Sequence, residues 1–245
     1  MISTELTLFI ITILTSTLAG ITAMGGGVIL VLILPYFLPV AAVIPIHGAT
    51  QFASNFSRLI LSFPDVIWRY VGQFFIGAII GSLLVSFFLI QISIEAMPFY
   101  VACYLLLSLW CAPLAKLLSK IENFYLLGVL QTGLGLLVGA PGPMTVTLLY
   151  KRLNTGRIES KNQVIATASL LMAITNANKV LVFTVIGFQY LEYLSILLAT
   201  ISGAILGSFI GTKLRKSIPV HYFLPMMKIL ITLIATHTVI KQLFF

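Results

Sequence analysis

Long apolar stretches, cut short by charges or by glycine and proline clusters, set the rhythm of this chain. Reading them at the length a bilayer requires, ~20 residues per helical crossing, predicts eight spans. They cover residues 6–34, 41–63, 70–90, 94–114, 124–150, 164–186, 191–212 and 220–240. Two of the eight are interrupted. The first carries Gly25, Gly26 and Gly27 in a row, and the fifth carries Gly139-Ala-Pro-Gly-Pro143. The pattern has no alternation of period two, so the expected class is an all-α integral membrane protein.

The halves resemble each other. Gly77-Ala-Ile-Ile-Gly-Ser82 in the third span returns as Gly203-Ala-Ile-Leu-Gly-Ser208 in the seventh. Asn55-Phe-Ser-Arg58 in the second span returns as Asn176-Ala-Asn-Lys179 in the sixth, and the two interrupted spans correspond. Three matches in the same order, about 115 to 126 residues apart, predict two four-span repeats, 1–115 and 124–245, joined by a charged connector at 116–123. Four spans per unit predict parallel copies, related by an axis along the membrane normal.

Composition supports the membrane reading. Hydrophobic residues make up 60% of the 245-residue chain and charged residues 8%, against roughly 25% in soluble domains. The net charge of +8 gathers in the loops after the fifth and seventh spans. Under the positive-inside rule those loops lie in the cytoplasm and both termini outside. The basic loops are too short for a nucleic-acid surface, so none is expected as a partner. Cys103 and Cys111 lack metal or redox spacing, and no metal, cofactor or catalytic motif is present. The Gly77/Gly81 and Gly203/Gly207/Gly211 faces suit close helix packing, within the bundle or across a homodimer.

Candidate chemistry sits at the breaks and just beyond them. Glycines and prolines inside a span free backbone amides, and the start of a following half-helix favours an anion. Non-helical backbone at membrane depth survives where protein buries it or it lines a watery cavity. Gly25, Gly26, Gly27, Gly139 and Gly142 are therefore candidate binding positions. Arg58 and Lys179 are cations inside spans, each three residues after an asparagine (Asn55 and Asn176), and with Asn178 they offer donors to an oxyanion. Thr50, Gln51, Thr167 and Ser169 extend the polar lining, as does Thr175. His47 could carry a proton. All six acidic residues (Glu5, Asp65, Glu95, Glu122, Glu159 and Glu192) fall at span ends or in loops, where they suit neither a proton pump nor a cation carrier.

The run Ala19-Gly-Ile-Thr-Ala-Met-Gly-Gly-Gly27 with Ala49-Thr50, echoed by Gly139-Ala-Pro-Gly-Pro143 with Ala166-Thr167-Ala-Ser169, resembles the TauE/SafE sulfite-exporter family. The resemblance covers essentially the whole chain. It implies a multi-pass transporter of the bacterial plasma membrane that exports sulfite, an organosulfonate or a similar small anion. Pro141 and Pro143 depart from the family's second glycine run. The alternative is a membrane-embedded accessory subunit without transport of its own, in which the breaks serve packing alone.

Overall fold

A computed structural model describes residues 3–89, 96–141, 144–215 and 223–244. Eleven α-helices appear among them: α1 (Thr4–Thr22), α2 (Gly26–Ile33), α3 (Val40–Ile60), α4 (Trp68–Leu89), α5 (Met97–Trp110), α6 (Ala112–Ser119), α7 (Phe124–Val138), α8 (Met144–Asn154), α9 (Lys161–Val185), α10 (Leu194–Leu214) and α11 (Phe223–Phe244). Five segments are long and apolar enough to cross a membrane: Thr4–Thr22, Trp68–Leu89, Lys161–Val185, Tyr190–Leu214 and Pro225–Leu243. The pair Met97–Trp110 and Ala112–Leu118, bent by 80°, makes a sixth if it counts as one span. Their outer faces carry exposed Leu83, Phe87, Leu198, Ile229 and Leu233, as lipid contact requires.

Glycine ridges set the helix pairing. A Cβ at Gly77 would lie 2.0 Å from the Tyr125 carbonyl oxygen and one at Gly81 2.3 Å from that of Val129, so α4 lies directly on the backbone of α7. In the same manner Gly203, Gly207 and Gly211 of α10 face the carbonyl oxygens of Phe9, Ile13 and Thr17 on α1, at 2.7, 2.4 and 2.2 Å. The repeated glycine motif thus performs the same task twice, and each time it packs the third helix of one half against the first helix of the other. The halves interlock, and these glycine faces are occupied within the chain.

Contact registers give the helix directions. Both glycine ridges run parallel to their partners, so α10 starts beside α1, where Ser195 Oγ donates to Glu5 Oε1 (3.3 Å). α3 also runs parallel to α10, through Thr50–Thr200 (2.9 Å) and Ser54–Ser208 (2.8 Å). Hence α1, α3 and α10 all begin at one end of the bundle, the amino-terminal face. α2 leads into α3 after only a short 3-10 turn at Leu34–Tyr36, so α2 must come back to the face that α1 left.

The second break behaves likewise from the other side. α4 begins where α3 ends, and α7 runs parallel to α4, so α7 starts at the opposite face. There Lys151 Nζ, near the end of α8, meets Glu122 Oε1 at 2.5 Å, and Arg152 Nη2 donates to the Glu122 carbonyl oxygen (2.7 Å). The ammonium of Lys151 holds the Glu122 carboxyl below its ordinary range. α8 therefore ends beside the start of α7.

Two expectations are corrected by this path. The interrupted first and fifth spans fold back as hairpins that each begin and end at one end of the bundle, and by length and composition five or six of the described segments, Thr4–Thr22 among them, could cross a membrane. Because one hairpin enters from the amino-terminal face and the other from the opposite face, the two units run inverted, not parallel. The pseudo-twofold then lies in the membrane plane, the other arrangement common in transporters. α6 runs through Lys116 to Ser119, within the charged stretch between the two units.

Candidate functional site

The hairpin tips are built alike. Gly25 (φ 87°, ψ −34°) and Gly139 (φ 73°, ψ −48°) share a left-handed conformation that an L side chain would strain. Ala23, the last residue before the first tip, also has positive φ (61°). Thr22 Oγ1 steadies that turn by donating to the carbonyl oxygens of Leu18 (2.8 Å) and Met24 (2.5 Å). In α2 the first intrahelical bond is donated by Ile29 N to Gly25 O (3.1 Å), leaving the amides of Gly26, Gly27 and Val28 ahead of the ladder, at the positive end of the helix dipole. Gly142 and Pro143 lie outside the described residues.

Behind the tips, α3 and α9 cross. Each presents the same two-residue device. Asn55 Nδ2 donates to Gln51 O (2.7 Å) and Asn176 Nδ2 to Met172 O (2.8 Å). That pins each amide so that its oxygen faces the cation one turn on. Asn55 Oδ1 accepts from Arg58 Nη2, and Asn176 Oδ1 from Lys179 Nζ (3.0 Å). The two cations then diverge. Lys179 Nζ also donates to Gly139 O at 2.7 Å, tying α9 to the second tip where the carboxyl end of α7 favours a positive charge. Arg58 makes no such link, and its Nη1 is buried with no partner among the described residues.

A cavity of about 160 Å³ lies between the tips. That is room for roughly five waters at ~30 Å³ each, or for one small anion. Gly25, Gly27, Gln51, Arg58, Gly139 and Asn176 line it, joined by His47, Gln131, Thr145 and Lys228. Met24, Met172 and Met227 supply an apolar wall. Four of the lining residues hold a buried polar atom without a partner among the described residues: Arg58 Nη1, His47 Nδ1, Gln131 Oε1 and Thr145 Oγ1. Buried polar atoms are paired in the great majority of cases, so four unpaired ones on residues that line one cavity mark a place for a polar guest. No carboxylate pairs with Arg58 or Lys179 among the described residues, and an uncompensated buried cation costs several kcal/mol.

The remaining expected positions do other work. Gly26 lets α2 rest on α1, because its Cβ would fall 1.9 Å from the Thr15 carbonyl oxygen. Thr50 Oγ1 donates to Thr200 Oγ1, binding α3 to α10. Thr167 Oγ1 accepts from Ile67 N (3.0 Å) and so fixes the turn after α3. Asn178 bonds Ile174 O (3.0 Å) and Ser82 Oγ (3.4 Å), facing α4. Ser169 is buried in α9 away from the cavity, and Asn55 and Lys179 stand behind it. Gln131, Thr145 and Lys228 were not anticipated. For Gln131 a signal existed: a lone amide side chain two turns before a helix break.

No curated protein and no solved structure matches the chain. A family model does, the one described as sulfite exporter TauE/SafE, over residues 8–238. With nearly its whole length matched, and two glycine-tipped hairpins enclosing a cavity, the chain belongs to the TauE/SafE family of membrane transporters.

Proposed function

We propose that the cavity receives a small oxyanion, sulfite or an organosulfonate, and that the protein exports it across the bacterial plasma membrane. The observation that carries this reading is that four residues lining the cavity between the hairpin tips, Arg58 among them, each hold a buried polar atom without a partner among the described residues. The family supplies the class of substrate. A packing-only role for the breaks would leave Arg58 as an unexplained buried charge.

Charge placement supports the direction. With hairpins in place of two crossings, Arg69, Lys116 and Lys120 come to the same end of the bundle as Lys151, Arg152, Arg157, Lys161, Lys213 and Arg215. Lys241 stands at the other end. Such an imbalance favours a cytoplasmic location for the basic end and outside termini. An inside-negative potential then favours the outward passage of each negative charge by about 2.3 kcal/mol per 100 mV.

The test is efflux from proteoliposomes loaded with radiolabelled sulfite at alkaline pH. Release should exceed that from protein-free vesicles and accelerate when the lumen is made electrically negative. Equal release from both kinds of vesicle overturns the reading.

A further inference from the structure

We propose that His47 is a proton site that couples anion passage to proton passage, so that a proton travels with the anion. This inference rests on the transport reading above and goes beyond it.

The geometry singles out this histidine. His47 lies on α3 about two turns past its start, two residues after Pro45, and is 2% exposed. Its Nε2 meets the Gly27 carbonyl oxygen of the first hairpin at 2.9 Å. A carbonyl accepts only, so Nε2 carries the hydrogen. Nδ1 is then the bare nitrogen. It is buried, has no partner among the described residues, and points toward the second hairpin, where a Cβ on Gly139 would be 3.8 Å away. The imidazole thus stands between the two tips, on a residue that lines the cavity.

Of the described acidic residues, Glu5, Asp65, Glu122, Glu159 and Glu192, none lines the cavity. His237 is bonded to Tyr36 on the outer surface of α11 (2.7 Å). The ionisable neighbours of His47 are all basic or phenolic. Lys179 of α9 packs its stem against Gly48, with Cδ 2.8 Å from where a Cβ would stand. Arg58 of its own helix and Lys228 of α11 share the cavity. Tyr104 of α5 donates to Pro141 O (2.7 Å). α2, α7 and α10 bring no titratable side chain to it.

Coupling follows from charge. An imidazolium among Lys179, Arg58 and Lys228 is repelled by all three while the cavity is empty. An anion seated between the tips removes that repulsion and attracts the proton. By linkage, the proton then strengthens anion binding by the same factor. Proton and anion arrive together and leave together. The proton enters from water onto Nδ1, returns to water on the far side, and no other bond changes.

Methanesulfonate separates the protein's protons from the cargo's, since it holds one negative charge throughout the working range. Proteoliposomes loaded with methanesulfonate and a lumenal pH dye, with voltage clamped by potassium and valinomycin, report both fluxes. The wild type should alkalinise the lumen as anion leaves, at about one proton per anion. His47→Gln retains an N–H for Gly27 O; because His47 lines the site its anion flux should fall, and the anion that still passes should do so without the pH change. Methanesulfonate efflux from the wild type with no alkalinisation overturns the inference and leaves the transport reading standing. So does a His47→Gln variant with unchanged proton-to-anion ratio. Absence of both methanesulfonate and sulfite efflux overturns the two together.

Discussion

Arg58→Gln lowers the initial rate of anion efflux at subsaturating load by roughly 10- to 150-fold, while the protein inserts and melts much as the wild type does. The substitution keeps an N–H within reach of Asn55 Oδ1, where Arg58 Nη2 now donates. What it removes is the charge and the unpartnered Nη1 of a residue that lines the cavity. A hydrogen bond to a charged partner is worth about 1.5–3 kcal/mol, and every 1.4 kcal/mol is about tenfold. Folding suffers little, because a buried cation without a carboxylate is itself unfavourable. Asn178→Ala is the matched control: Asn178 faces Ser82 of α4 and not the void, so its flux stays within about twofold. An Arg58→Gln rate equal to wild type would remove Arg58 from the site.

Gly26→Ala has the larger effect on the fold. The added methyl would lie 1.9 Å from the Thr15 carbonyl oxygen and 2.8 Å from Ala19 Cβ. Neither neighbour is the loose end of a side chain. α2 must therefore leave α1, taking Gly25 and Gly27 out of the cavity wall. Overpacking of a tight core costs about 1–3 kcal/mol and sometimes more, and a clash with the Thr15 main chain and the Ala19 Cβ belongs at the top of that range. The expected result is a sharp drop in the melting temperature of purified protein together with loss of efflux. Gly72→Ala, with nothing within 4 Å of its Cβ position, should change neither. A Gly26→Ala protein that melts and transports like the wild type would contradict the hairpin packing.

Much of this was legible in the residues before any coordinates. The breaks at Gly25 and Gly139, the twin glycine ridges and the Asn–cation pairs all follow from residue chemistry at membrane depth, and each has a counterpart in the other half. The path through the breaks was not legible. Hydropathy reads residues 6–34 as apolar throughout, and a glycine break in such a run allows the chain to continue or to turn back. Which occurs depends on contacts distant in sequence, such as Lys151 against Glu122. Inversion of the repeats was hidden for the same reason. Thr50 and Thr167 were assigned to the site because they share helices with Gln51 and Asn176. Their hydroxyls point to α10 and to the turn at Ile67 instead. Periodicity tells which residues share a helix face, but not which neighbour that face meets.

Both tips bounding a single anion site is the claim that everything else depends on. Single cysteines at Ala23 and at Ala140, each on the cavity wall, can be placed in a background with Cys103 and Cys111 replaced by alanine. Their labelling rates by a small thiol reagent are then compared with and without methanesulfonate. The account predicts that this one anion slows labelling at both positions over the same concentration range. Protection at only one tip, or at neither, would contradict it.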